Sequence, residues 1–122
     1  MIFVKINGTR YPATISGKMA DKDWDNRSSK SITLEMDYKT ASKLFVDGLE
    51  WAIVQQEDFP VYQTDKSGNT VQTGTEIRED VFDNSEYNLA GDITDHRDGT
   101  ITVKMGKLTD LEQAYEIILG GI

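Results

Sequence analysis

A chain of 122 residues with 38% hydrophobic and 28% charged residues has the size and composition of one globular domain, which excludes chain-wide disorder and leaves material for a single sizeable core. It has no cysteine and one histidine, so disulfides, thiol catalysis and conventional His/Cys zinc sites within one chain are excluded. The formal net charge of −8 opposes binding to the phosphate backbone of a DNA or RNA duplex, while a local pocket of two or three arginines still suits a small anion.

The first predicted element is a strand, Ile2 to Ile6, with Ile2, Val4 and Ile6 alternating against Phe3 and Lys5. The start of the chain reads as a strand without a basic leader or cleavage site, and no apolar run approaches the roughly 18 residues of a membrane span, so an intracellular (cytoplasmic) or intravirion location is expected. Asn7-Gly8 signals a hairpin, and Arg10 to Ile15 reads as the returning strand, with Pro12 marking an edge or a bulge. Ser16 to Ser31 is polar. Within it Trp24, in Asp23-Trp24-Asp25-Asn26-Arg27, reads either as a lid folded back on the core or as a recognition surface in which Arg27 supplies a fork of donors. Ile32, Leu34 and Met36 share one face of the next strand. Asp37 caps a helix whose Tyr38, Ala41, Leu44 and Phe45 form an apolar stripe, and Asp47-Gly48 stops it.

Trp51 to Val54 is a further strand, with Trp51 in the core. From Gln55 to Thr75 the pattern weakens: Phe59 to Gln63 reads as a short strand, Asp65 to Thr70 as a turn and Val71 to Ile77 as a return, a polar hairpin or long loop that suits either a change of length or a subunit-contact arm. Phe82 stands alone in the acidic stretch up to Gly91, where burial as a loop anchor is the ordinary role. Ile93 opens a strand, Asp98-Gly99 is a two-residue turn signal, and Ile101, Val103 and Met105 share one face of the strand after it. Thr109 and Glu112 form a capping box for a final helix through Leu119, with Gly120-Gly121 as its stop. Leu108, Leu111, Ala114, Tyr115 and Ile118 give that helix a broad apolar stripe. Packing on a sheet accounts for much of it, and a dimer interface is a second use.

Ser31 to Met36 matches Thr100 to Met105 position by position, each followed by a capped helix, which suggests a pseudo-repeat over residues 24–48 and 92–120 within a single domain spanning 1–122. The expected fold is α+β, a mostly antiparallel twisted sheet with two helices packed on it.

No nucleophile elbow, zinc motif, dinucleotide fingerprint or phosphate loop is present. His96, between Asp95 and Arg97, has the makings of a weak general base. Small-anion binding has a fuller inventory: Trp24 and Phe82 as aromatic faces, Arg27 and Arg97 for phosphates, and Asn26, Asn84 and His96 for hydroxyl and base edges. Taken singly, each arginine is also well placed to pair with the abundant surface acids.

The Ile6-Asn7-Gly8 turn, the Trp24 to Arg27 loop, Ser31 to Leu34 with Ala41, Leu44 and Phe45, and the Ile93 to Thr100 segment resemble small proteins of phages and prophages of Gram-positive bacteria. Among these the chain most resembles the anti-Thoeris sponge proteins, which sequester cyclic ADP-ribose-type signals. The resemblance implies a non-enzymatic, cofactor-free binder in the cytoplasm of an infected cell. It also implies assembly into homodimers or higher homo-oligomers, with the small anionic cyclic nucleotide held between subunits. Adenine stacking would then fall to Phe82 and phosphate binding to Arg97 or Arg27. The competing classes are a phage structural or tail-associated protein, which predicts extensive self-contact and no small-molecule pocket, and an acidic inhibitor of a host defence protein.

Overall fold

The computed structural model describes residues 1–120 and folds as an α+β chain around an antiparallel sheet. In chain order the elements are β1 (Ile2–Ile6), β2 (Thr9–Asp21), β3 (Arg27–Glu35), α1 (Tyr38–Leu44), β4 (Ala52–Thr64), β5 (Thr70–Asp83), β6 (Leu89–Asp95), β7 (Thr100–Gly106) and α2 (Asp110–Gly120). The strands lie in the order β5-β4-β1-β2-β3-β7-β6, every neighbouring pair antiparallel. Gly121, half of the expected helix stop, lies outside the described residues.

Pro12 explains how one sheet encloses a core. β2 pairs with β1 over Thr9 to Pro12, then with β3 from Ala13 onward, so the strand changes partners where proline has no N–H to offer. One half of the sheet is β5-β4-β1 with the start of β2, and the other is the rest of β2 with β3, β7 and β6. Val4 and Ile6 from the first half meet Ile32, Leu34, Ile101, Val103 and Met105 from the second, and Ala41, Phe45 and Trp51 close the cluster. The Trp51 indole N–H donates to the Tyr87 carbonyl oxygen at 2.8 Å, which lets the ring be buried without an orphaned donor.

Local signals set most of the boundaries. Asn7 and Gly8 both take positive φ (51° and 81°), the twist that a tight hairpin between right-twisted strands requires. The Asp37 carboxylate accepts from Thr40 N–H at 2.6 Å and starts α1. The second turn is wider than Asp98-Gly99 alone suggests. β6 stops at Asp95 and β7 starts at Thr100, and the positive φ values fall on Arg97 (58°) and Gly99 (91°), with the Asp95 carboxylate accepting from the Arg97 N–H.

Two stretches depart from the sequence reading. The polar run from Ser16 to Ser31, given no element from sequence, is mostly strand: β2 continues to Asp21 and β3 begins at Arg27, because polar side chains suit a sheet face turned to water. The weak stretch after Gln55 is a long hairpin of β4 and β5 paired from Ala52–Asp83 to Thr64–Thr70. β1 reaches β4 only as far as Gln55, so the outer part of the hairpin projects as an arm, with Pro60 on the free edge of β4.

The two look-alike strands are direct neighbours, Ile32 opposite Val103 and Leu34 opposite Ile101. Because they run antiparallel, their helices leave from opposite ends. α1 buries Ala41 and Phe45, whereas α2 touches the body chiefly through its first turn and leaves Leu111 (80%) and Ile117 (76%) exposed. The sheet face nearest α2 is polar, carrying Ser31, Thr33, Thr102 and Lys104 opposite the core residues, so among the described residues the apolar stripe of α2 finds no apolar ground.

Candidate functional site

The richest polar cluster lies on the sheet face turned away from the core, under the β2–β3 corner. Asp25 and Asn26 both have positive φ (55° and 57°), and the N–H groups of Trp24 and Asn26 donate to the Asp21 carbonyl oxygen at 3.0 and 2.8 Å, which folds the corner back over the sheet. Trp24 is indeed a lid, but over this outer face and not over the core. Its floor is two glycines from strands far away in sequence. A Cβ on Gly91 would stand 2.9 Å from the ring, and one on Gly106 2.6 Å, so only glycine admits the indole there.

Beneath the lid, Asp21 is buried and accepts from Ser29 Oγ at 3.1 Å, from Asp23 N–H at 3.1 Å and from Lys104 Nζ at 2.7 Å. The ammonium of Lys104, ahead of the opposing cost of burial, holds the Asp21 carboxyl at about 2. Arg27, only 6% exposed, stacks its guanidinium 5.0 Å from the Trp24 ring centroid. It grips Glu112 in bidentate fashion, Nη1 to Oε1 at 2.7 Å and Nη2 to Oε2 at 3.2 Å, and donates to the Lys107 carbonyl oxygen at 3.1 Å. Arg27, then the capping contacts of Thr109, bring the Glu112 carboxyl down to about 2. Arg27 therefore serves as the bolt that fastens α2 to the sheet: both Nη groups are engaged within the chain, while its buried Nε–H has no hydrogen-bond partner among the described residues.

The other nominated residues fall elsewhere. Asn26 is exposed at the corner. His96 and Arg97 sit at the opposite end of the β6–β7 pair, roughly 17 Å from Gly91 at a rise of about 3.4 Å per residue. His96 Nε2 shares a hydrogen bond with Thr102 Oγ1 at 2.7 Å, and the Arg97 side chain is exposed. Asn84 is buried and structural. It accepts from Lys30 Nζ, donates through Nδ2 to the Phe82 carbonyl oxygen at 3.0 Å, and its N–H donates to the Trp51 carbonyl oxygen at 2.9 Å. Phe82 is not a buried loop anchor. It lies on the rim strand β5, opposite Ile53, and is 52% exposed because no further strand flanks it.

Within one chain the seven residues thus divide among the Trp24 corner, the β6–β7 turn and the end of β5. Trp24 borders a groove of about 410 Å³ with Asp23, Ala90, Gly91, Asp92 and Lys104, where two carboxylates face the one ammonium already bound to Asp21. Sequence reading missed Asp21, Lys104 and Glu112 as the partners in this cluster. The capping box placed Glu112 at a helix start, but nothing local announces a contact with Arg27, 85 positions away.

No family model, curated protein or solved structure matches the chain. Among the described residues no group of three or more His, Asp or Glu is placed to hold a metal ion, and no helix is long and apolar enough to cross a membrane.

Proposed function

We propose that this protein is a non-enzymatic structural component that works by assembling with copies of itself, in the phage structural or tail-associated class. The observation that carries the reading is the β4–β5 arm. Every residue of β5 is exposed over Thr70–Asp83, the strand is the rim of the sheet, and Val61, Tyr62, Val71, Ile77, Val81 and Phe82 present apolar side chains along the hairpin. A long rim strand offers a row of free N–H and C=O groups, which a second chain can extend as a sheet. Arg10 pairs with Glu79 and the Arg78 guanidinium lies 4.3 Å from the Phe59 ring centroid, contacts that brace the arm in an extended shape. The phage setting rests on the resemblance of the sequence.

Light scattering and negative-stain microscopy of the purified chain test this. Discrete oligomers or short tubes are expected, and Ile77→Lys on the arm should reduce their order. A chain that stays monomeric at about 100 μM, well above the micromolar range of ordinary specific contacts, would end the proposal.

A second reading, sequestration of a cyclic ADP-ribose-type or other cyclic nucleotide signal, is favoured by one observation. Phe82 and Arg97 keep exposed side chains toward opposite rims of the sheet, so two chains side by side can supply a stacking ring and a free guanidinium to one interface. Incubation with a mixture of cyclic nucleotides and cyclic ADP-ribose isomers, then washing, heat release and mass spectrometry, decides it. An unchanged nucleotide retained by the native chain and lost in Phe82→Ala supports capture, and an empty eluate removes it.

A further inference from the structure

We infer that α2 is a self-docking helix: two copies of the chain pair their α2 helices antiparallel, across a two-fold axis between Ala114 and Tyr115. The inference rests on the self-assembly reading and names an interface separate from the β5 rim.

The first ground is that, among the described residues, nothing covers the apolar stripe of α2. It spans Asp110–Gly120, shorter than the roughly 12 to 15 residues at which isolated helices become even marginal in water. It is fastened at its first turn by Arg27 and Glu112, and Leu111, Tyr115, Ile117, Ile118 and Leu119 each expose more than half of their surface. That is on the order of 600 Å² per chain, at the top of the largest patch that ordinary monomers show. Doubled across a two-fold axis, with Ile117 and Leu119 on opposite flanks of the stripe and only partly covered, it makes a contact of the weak, transient size just below ~1,200 Å².

The second ground is that the stripe complements itself. With the axis between Ala114 and Tyr115, Leu111 faces the partner's Ile118, and the small Ala114 faces the large Tyr115 of the partner subunit, so a gap is matched to a ring. In the same alignment Gln113 and Glu116 project from the far side of the helix and Glu112 is held by Arg27, so no two carboxylates are directly opposed. The helix dipoles run head to tail as well.

The charge of the helix removes the main competing occupant. Residues 110–120 contain Asp110, Glu112 and Glu116 and no Lys or Arg, whereas a helix that lies on an anionic bilayer carries basic residues on its polar face.

The chain has no cysteine, so single introduced thiols report the geometry cleanly. Mixing Leu111→Cys and Ile118→Cys chains under mild oxidation should give mainly the mixed disulfide, one chain of each variant. Disulfides that form mainly between two copies of the same variant, or no disulfide at all, would overturn the antiparallel pair. In parallel, Ile118→Glu should raise the concentration for half-association roughly 100-fold by burying an unpaired charge, with the thermal transition of the dilute chain unchanged. Oligomers that persist unaltered in Ile118→Glu would overturn the α2 interface and leave self-assembly standing, whereas a monomeric wild-type chain would remove both.

Discussion

The β3–α1 and β7–α2 units begin from nearly the same strand and reach opposite outcomes. Ile32 and Leu34 pair directly with Val103 and Ile101, and both helices start from side-chain caps, Asp37 for α1 and Thr109 for α2. α1 leaves the end of the sheet where the core is open and buries Ala41 and Phe45. α2 leaves the other end, meets the polar face, and is held by an ion pair instead of by apolar burial. Strand pattern and capping decide that a helix forms. The direction of the strand before it decides whether that helix joins the core or faces outward.

The sharpest way to break the contrast is to truncate equivalent apolar residues. Phe45→Ala should cost about 3–5 kcal/mol in urea unfolding, the range for emptying a buried aromatic site. Leu111→Ala, measured dilute enough to keep the chain monomeric, should stay within about 0.5 kcal/mol. Equal losses at the two positions would mean that α2 packs as α1 does.

Next in size is the Trp24 floor. Gly106→Ala drives a methyl into the indole, and overpacking of this kind costs ~1–3 kcal/mol; Trp24→Ala in the same chain should recover part of the loss. Strict additivity in that double-mutant cycle would show that the ring does not rest on Gly106.

The ion pair has a pH signature. The Glu112 carboxyl, ordinarily near 4.5, is held at about 2 in the folded chain, first by Arg27. A lowered folded value means that the stabilisation is complete above the unfolded value and drains away as pH falls through the window from about 4.5 to about 2. Asp21, lowered from 3.8 to about 2 chiefly by Lys104, adds loss over nearly the same range. Glu112→Gln should therefore flatten the acid limb of a thermal-stability profile without abolishing it, and should speed amide exchange in α2 but not in α1. The smallest expected effect is Thr109→Ala, about 1 kcal/mol of helix stability through the lost cap, read as faster exchange near Glu112 and Gln113.

How much of this was legible depended on the range of the physics involved. Asn7-Gly8, Asp37 and the Thr109–Glu112 box act over a few residues, and the sequence shows them directly. The alternation of Ile32, Leu34, Ile101 and Val103 likewise located the central strands. The arm was harder to see, because Gln, Glu and Thr exposed on both faces give no hydrophobic period although they suit an extended strand. Phe82 looked like an anchor since nothing local reveals that β5 is a rim. The candidate site was the least legible part. Arg27 is nominated by its neighbours Trp24 and Asn26, yet its role is set by Glu112 from the far end of the chain. Trp24 likewise depends on Gly91 and Gly106, which in sequence look like ordinary turn or strand-end glycines.

The carboxylates along β5, Glu76, Glu79, Asp80 and Asp83, give the arm a dependence on ionic strength whose sign is informative. Like charges on two approaching rims repel, and raising salt to 0.1 M shortens the reach of that repulsion to ~10 Å. Added electrolyte should therefore promote rim-to-rim joining while weakening capture of a soluble anion by Arg97, so a simple titration with sodium chloride should push the two proposed activities in opposite directions.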